Sequence, residues 1–104
     1  MLTDSVHEVL CEGEQRLLQC TDSQRFISVD SVFFGRNDVN VCPHEQGNVT
    51  DCAGAAGATE VVGRVCSGRT SCSFEAQALS WGDPCPDVHK IARVQYHCQG
   101  RSFN

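Results

Sequence analysis

The side chains most able to do chemistry in this 104-residue chain are its cysteines. There are eight: Cys11, Cys20, Cys42, Cys52, Cys66, Cys72, Cys85 and Cys98. Zinc sites usually present two cysteines about two residues apart, so that both thiolates reach one ion from a tight turn. The closest pair here, Cys66 and Cys72, has five residues between its members, and the redox motif C-x-x-C is also absent. The spacing therefore favours disulfides, and we expect no metal site.

Disulfides persist in oxidising compartments, so the cysteine density indicates a secreted or extracellular protein. Eight cysteines can pair in on the order of a hundred ways, and spacing alone leaves nearly all of these open. Cys66 and Cys72 flank the short segment 67–71 and form the easiest local pair. Each bridge would contribute about 2–4 kcal/mol by restricting the unfolded chain, which matters for a domain with a modest core.

The histidines do not form a catalytic pattern. None of His7, His44, His89 and His97 lies in an H-E-x-x-H motif or accompanies a G-x-S-x-G nucleophile turn. The even number of cysteines also argues against a free nucleophilic thiol. We therefore expect surface or packing histidines, no enzymatic activity and no cofactor.

A different set of polar residues suits the binding of a sugar. Lys90 is the only lysine in the chain, Glu12 follows a cysteine, and Asp83 and Asp87 flank Cys85. Carboxylates accept hydrogen bonds from adjacent sugar hydroxyls and an ammonium donates to them, while an aromatic ring covers the sugar's apolar face. From spacing alone, simple solvation is the favoured interpretation of the carboxylates, and a surface lysine that opens a strand explains Lys90 as well as a ligand contact does.

The composition excludes one class of partner. Eight Lys+Arg against thirteen Asp+Glu give a net charge of −5, with no basic cluster. Proteins that bind nucleic-acid phosphates need the opposite balance, so we expect no nucleic-acid partner. The apolar runs are only a few residues long, and we expect no insertion into a membrane.

The length predicts a single domain over residues 1–104. The polar start of the chain lacks the basic and apolar regions of a signal peptide, so we expect a mature secreted domain whose leader has been removed. Asn48 begins the glycosylation sequon Asn48-Val49-Thr50, which agrees with secretion and makes this asparagine a candidate glycosylation site.

The elements read from the sequence are mostly short strands. Residues 6–12 and 16–20 form two strands that a turn at 13–15 would join as a hairpin, and residues 25–34, 71–76 and 90–98 form three more. In the last strand, alternation places Ala92, Val94, Tyr96 and Cys98 on one face. Thr59 would cap a short helix whose buried stripe is Val61, Val62, Val65 and Cys66. The predicted fold class is α+β and mainly antiparallel β: a compact, disulfide-stapled, β-sandwich-like domain with one short helix and long loops.

Several ordered motifs resemble one known family. They are Cys11-Glu12-Gly13, Leu17-Leu18-Gln19-Cys20, Phe34-Gly35-Arg36, Trp81-Gly82-Asp83-Pro84-Cys85, a lysine five residues after Cys85, and Tyr96-His97-Cys98. Together they resemble the rhamnose-binding lectin domain, also called the sea-urchin-egg-type or galactose-binding lectin domain, which also stands at the amino end of latrophilins. The resemblance runs from residue 11 to residue 98 and uses all eight cysteines.

The resemblance implies a specific set of pairs and a site. The implied disulfides are Cys11–Cys42, Cys20–Cys98, Cys52–Cys85 and Cys66–Cys72. The implied sugar contacts are Glu12, Phe34, Asp83 and Lys90, in a site that is closed by the loop with Asp87 and His89 and needs no calcium. Family ligands are L-rhamnose and D-galactose, whose hydroxyls at C2 and C4 share an orientation.

The chain departs from the family pattern at three positions, which leaves the sugar preference open. Phe34 replaces a tyrosine and so offers a ring without a hydroxyl. Asp87 replaces a glycine, and its carboxylate would either accept one more sugar hydroxyl or crowd the ligand. Ala78 stands where the family often has asparagine.

Three functions remain in competition at this point. The first is a secreted lectin of the defence or egg type, which would need self-association or a longer parent chain to agglutinate cells. The second is an adhesion or receptor module that binds protein with a drifted sugar site, and the third is a disulfide-rich inhibitor or toxin. For the first, we expect Lys90→Ala to abolish sugar binding and to leave thermal stability nearly unchanged.

Overall fold

The structure, a computed structural model, describes residues 5–21, 24–38, 41–42, 52, 54, 56–77, 81–82, 84–85 and 88–100. The elements in these residues are β1 (Val6–Cys11), β2 (Gln15–Gln19), β3 (Arg25–Gly35), α1 (Ala58–Cys66), β4 (Ser71–Glu75) and β5 (Ile91–Gly100). Short antiparallel strands, one helix and disulfides confirm the predicted fold class. The candidate glycosylation site Asn48 lies outside the described residues.

The strands form two antiparallel sheets. The larger has the order β1-β5-β3, and the smaller pairs β2 with β4. The predicted hairpin of residues 6–12 with 16–20 is therefore wrong, although both strands exist. Gly13, at φ +92°, turns the chain from one sheet into the other, and its N–H donates to Ala76 O at 2.8 Å beyond β4. A short turn determines where a strand ends, but which strand it then pairs with depends on which of its faces must be buried.

Strand β3 contains an irregularity that the alternating pattern did not predict. Its register against β5 shifts between Val29 and Ser31, which leaves Asp30 as an extra residue. The bulge changes which alternate residues face inward, so that Ile27 before it and Val32 and Phe34 after it are all buried. On β5 no such shift is needed, and the predicted inward face of Ala92, Val94 and Tyr96 is confirmed.

Helix α1 packs against β3 and completes one core shared by both sheets. Its buried residues are Ala58, Val62 and Cys66, spaced four apart, whereas Val65 is 48% exposed, contrary to the predicted stripe. The N-cap residue is Gly57, and the prediction that Thr59 caps the helix is also wrong. Thr59 Oγ1 instead accepts the Val32 N–H at 2.9 Å, which ties α1 to the edge of β3.

Disulfides connect all the layers. The four bridges are Cys11–Cys42, Cys20–Cys98, Cys52–Cys85 and Cys66–Cys72, the same pairs that the resemblance implies. Cys20–Cys98 joins the end of β2 to β5, and Cys66–Cys72 joins α1 to β4. Cys11–Cys42 joins the last residue of β1 to the segment after β3, and Cys52–Cys85 joins the segment before α1 to the segment before β5. Helix α1 has nine residues, and no helix within the described ranges is long and apolar enough to cross a membrane.

Candidate functional site

The pairing of β1 with β5 brings Glu12 and Lys90 together. The last ladder pair is Cys11 with Ile91, and the Glu12 N–H donates to Lys90 O at 3.0 Å one step further on. The Lys90 N–H in turn donates to the carboxylate Oε1 of Glu12 at 3.0 Å. Two polar residues that are 78 positions apart in the chain are therefore fixed against each other by main-chain geometry.

Lys90 is not a surface lysine. Its side chain is 3% exposed, and its Nζ lies 3.6 Å from Glu12 Oε1 in an ion pair whose carboxylate is 27% exposed. Removal of a buried cation leaves its partner and the surrounding polar groups without compensation, which destabilises a fold. The expectation that Lys90→Ala leaves thermal stability nearly unchanged therefore needs correction: this variant should lose stability as well as any ligand contact.

The aromatic rings of the family-like motifs lie in the core rather than at the surface. Phe34 is 0% exposed and Trp81 is 5% exposed, and the two rings meet edge to face with their centroids 5.1 Å apart. The ring of Phe74 lies 5.7 Å from that of Trp81 on the β4 side. Phe34 thus belongs to the core in this structure, and contact between its ring and a sugar stays a prediction.

The remaining predicted contacts lie on the segment before Lys90. His89 is half-buried, and its carbonyl oxygen accepts a hydrogen bond from Arg36 Nη1 at 2.9 Å. The Val88 N–H donates to Cys85 O at 3.2 Å, which folds this segment back towards the Cys52–Cys85 bridge. Asp83 and Asp87, like Ala78, lie outside the described residues, so their predicted roles stay predictions.

The residue that sequence reasoning missed is Arg36. It is 0% exposed, and its guanidinium donates to the carbonyl oxygens of His89, Val41 and Cys42. The sequence signal was its place in Phe34-Gly35-Arg36, directly after a strand with buried apolar residues. A charged residue at that point of a strand is unusual enough to expect a specific set of acceptors.

The charges near the site are arranged for hydrogen bonding. Glu12 supplies a carboxylate acceptor and Lys90 an ammonium donor, both held on a disulfide-linked frame. Among the described residues, no cluster of histidine, cysteine or carboxylate side chains could hold a metal ion. Acceptors and donors of this kind suit the hydroxyls of a polyol ligand.

A second ion pair lies towards the other end of β5. His97 Nδ1 is 2.9 Å from Asp30 Oδ1, with side chains that are 25% and 32% exposed. The hydrogen bond that His97 donates to the Asp30 carboxylate raises the pKa of His97 above its ordinary value, since it stabilises the protonated ring. This pair sits at the β3 bulge and belongs to the outer face of the larger sheet, not to the Glu12–Lys90 site.

Two surface grooves within the described part of the chain lie elsewhere. One, of about 450 Å³, is on the outer face of the larger sheet beside Val9, Phe33 and Arg93. The other, of about 410 Å³, lies beside Phe26, Ser67 and Gln99. Neither is lined by Glu12 or Lys90, so groove size does not identify the candidate site, which rests on the placement of its polar residues.

The structure is that of a small disulfide-bonded domain with a buried polar pair at one end of an antiparallel sheet. The chain belongs to the D-galactoside/L-rhamnose binding SUEL lectin domain family, whose model matches residues 18–98. Its motifs therefore resemble that family because it is a member of it.

Individual relatives agree with the family assignment. The chain is 36% identical over 99 residues to the L-rhamnose-binding lectin SML of Scomberomorus niphonius, a match that covers 91% of this chain and 47% of that protein. It is 32% identical over 91 residues to the L-rhamnose-binding lectin ELEL-1 of Echinometra lucunter, covering 88% of each. It is also 33% identical over 91 residues to Latrophilin Cirl of Drosophila mojavensis, covering 85% of this chain and 5% of that protein. The chain thus spans about half of the first relative and most of the second.

Proposed function

We propose that this domain is a secreted lectin that binds a sugar of the L-rhamnose or D-galactose type non-covalently and without calcium. The observation that carries the proposal is the Glu12–Lys90 pair, in which a carboxylate and an ammonium from distant parts of the chain meet on a disulfide-linked frame. Family membership and the two rhamnose-binding relatives support the same class of ligand.

Each member of the pair has an atom that would contact a ligand in the proposed site. Oε1 of Glu12 already accepts the Lys90 N–H, so Oε2 is the oxygen that would accept a sugar hydroxyl. Nζ of Lys90, which lies 3.6 Å from Oε1, is the donor that we propose for a second hydroxyl. We propose that Asp83, Asp87 and His89 also contact the sugar.

Titration of L-rhamnose, D-galactose and D-glucose into the protein, followed by NMR, tests the proposal. We expect saturable shifts of the Glu12 and Lys90 signals with the first two sugars, unchanged by EDTA, and weaker shifts with D-glucose, which differs from galactose at C4. The variant Glu12→Gln keeps the shape of the side chain and the acceptor for the Lys90 N–H, and should lose affinity. The absence of any response to either sugar at tens of millimolar would overturn the proposal.

Agglutination would require several copies of this site. A single shallow sugar site binds weakly, whereas linked sites raise overall affinity by roughly 10²–10⁴. We therefore propose that a defence or agglutinating role depends on self-association or on further domains of a parent chain. Sedimentation of the protein, compared with agglutination of rhamnose-coated beads before and after chemical cross-linking, tests this dependence.

A second candidate is a receptor-type module that uses the same fold to bind protein. The observation that favours it is the burial of Lys90 and Phe34, together with the similarity to Latrophilin Cirl. On this hypothesis neither sugar shifts the Lys90 signals. Glu12→Gln would then have no effect on binding of the module to a protein partner.

A further inference from the structure

Arg36 connects the segments on which the proposed site is built. Nη1 of its guanidinium donates to His89 O at 2.9 Å, and Nη2 donates to Val41 O at 3.1 Å and to Cys42 O at 2.9 Å. The side chain is 0% exposed. One planar group thus holds main-chain carbonyls from two segments that are far apart in the sequence.

Both segments lead directly to the ion pair. His89 precedes Lys90 in the chain. Cys42 is bonded to Cys11, the residue before Glu12. The guanidinium is therefore hydrogen-bonded to the residue next to Lys90. It is also hydrogen-bonded to Cys42, which is disulfide-bonded to the residue next to Glu12.

The main chain of Arg36 reaches a third segment. Its N–H donates to Cys52 O at 3.0 Å, and its carbonyl accepts the Cys52 N–H at 3.1 Å. Cys52 is bonded to Cys85, which follows Asp83 by two residues. All three segments that carry the predicted contacts are thus tied to this one residue.

The charge of Arg36 is costly where it lies. Among the described residues, its side-chain hydrogen bonds are all to carbonyl oxygens, and its Nε has no hydrogen-bond partner. A buried cation paired with carbonyl dipoles rather than a carboxylate, with one donor unsatisfied, is a poor way to gain stability. The guanidinium instead contributes geometry, since its planar, rigid set of N–H donors fixes several acceptors at once, whereas the flexible ammonium of a lysine does not.

We propose that Arg36 is a positioning residue of the sugar site, which sets the separation of Glu12 and Lys90 through the carbonyls of Cys42 and His89. The inference rests on the proposed function for its effect on affinity. Its structural part, that the side chain of Lys90 keeps its buried position only while Arg36 holds His89, stands independently of any sugar.

The test uses Arg36→Lys and Arg36→Gln with matched controls at Arg16. Arg16 is half-exposed, pairs with Glu8 on the surface at 3.0 Å and holds neither site segment. At a temperature where near-ultraviolet circular dichroism shows every variant folded, we expect both Arg36 variants to bind L-rhamnose about tenfold more weakly, the result of losing one or two hydrogen bonds that fix the site. Arg16→Lys and Arg16→Gln should bind as the wild type does.

A second readout separates positioning from a general loss of structure. In Arg36→Gln, Lys90 remains the only lysine, so the rate of its acylation reports its exposure directly. We expect this rate to rise several-fold in Arg36→Gln and not in Arg16→Gln, with amide shifts concentrated at residues 88–90 and 11–12 rather than in β2 and β4. Arg36→Lys, which keeps the buried charge, is the variant that retains the fold if the glutamine variant does not.

The outcomes distinguish failure of the inference from failure of the proposed function. Rhamnose affinity of the Arg36 variants within about twofold of the wild type, or an equal loss in the Arg16 variants, overturns the positioning role. If the wild type binds no sugar, the proposed function fails. The inference is then decided by Lys90 acylation alone, where an unchanged rate in Arg36→Gln overturns it.

Discussion

Strand β5 and the residue before it carry two ion pairs, one at each end, and the pairs differ in burial more than in distance. Lys90 and Glu12 are 3.6 Å apart with a cation that is 3% exposed, whereas His97 and Asp30 are 2.9 Å apart with both side chains about a quarter to a third exposed. Loss of the Lys90–Glu12 pair should destabilise the fold more than loss of the His97–Asp30 pair. Water screens the exposed His97–Asp30 pair, whereas a buried charge that loses its partner is costly.

The two ends also differ in how the chain is held. The Lys90 end, beyond the last ladder pair, is fixed by Cys11–Cys42, Cys52–Cys85 and the guanidinium of Arg36. The His97 end lies within the ladder of β3 with β5, on both sides of the bulge at Asp30, and is also held by Cys20–Cys98. Specific side chains therefore replace regular strand pairing at the end where a ligand would bind.

The largest expected effect comes from removal of Cys11–Cys42. The double variant Cys11→Ser/Cys42→Ser opens a loop of 31 residues, and we expect it to lose about 2–4 kcal/mol of unfolding free energy together with sugar affinity. Cys66→Ser/Cys72→Ser, whose bridge spans 6 residues far from the site, should lose stability but keep the affinity of its folded fraction. Urea unfolding and rhamnose titration of both variants measure the difference, and equal losses of affinity would remove the distinction between the two ends.

A smaller effect is expected from a double-mutant cycle at Glu12 and Lys90. Lys90→Ala should cost about 1–3 kcal/mol of unfolding free energy because it leaves buried groups uncompensated. In the Glu12→Ala background the further cost of Lys90→Ala should be smaller, since part of its value is the pair. Additive losses in urea unfolding would show that the two residues do not interact.

The smallest effect is expected at Asp30. Because the folded-state pKa of His97 is raised above the ordinary value of 6.5, the pair stabilises the fold fully below that pH, where the ring is protonated in both states. The contribution is lost as pH rises through the raised folded-state pKa. Asp30→Asn should lower the pKa of His97 and reduce stability by about 0.3–1 kcal/mol on the acid side of this window, and by less above it.

NMR titration of the His97 ring and thermal unfolding at several pH values measure these changes. Asn is uncharged but still polar at the bulge, so the comparison isolates the charge of Asp30. Rhamnose affinity of Asp30→Asn should match that of the wild type throughout, because this pair lies away from the site. A pKa of His97 that does not change in Asp30→Asn would contradict the account of this pair.

Local patterns in the sequence predicted the strands well, and they failed where distant contacts decide. The inward face of β5 followed from alternation because Ala92, Val94 and Tyr96 need no correction along the strand. The false hairpin arose because a turn at 13–15 looks the same whether the next strand pairs locally or enters another sheet. Thr59 likewise looked like a cap, yet its hydroxyl bonds to Val32 in a strand far away in the sequence.

Two residues of the proposed site could be named from the sequence, but their environment could not. The motifs named Glu12 and Lys90, and the structure brings them into contact. Burial of Lys90 and the carbonyl acceptors of Arg36 depend on three segments that meet only in the fold, and no spacing rule in one sequence contains that information. A single lysine in an acidic chain was therefore as compatible with a surface position as with the buried one.

The most direct test of the central claim follows the signals of Lys90 while L-rhamnose is added to the wild type and to Glu12→Gln. We predict saturable shifts at Lys90 in the wild type and a clear loss of affinity in Glu12→Gln, with both proteins folded. Shifts of equal affinity in the two proteins, or shifts confined to residues away from Glu12 and Lys90, would contradict the assignment of this pair as the sugar site.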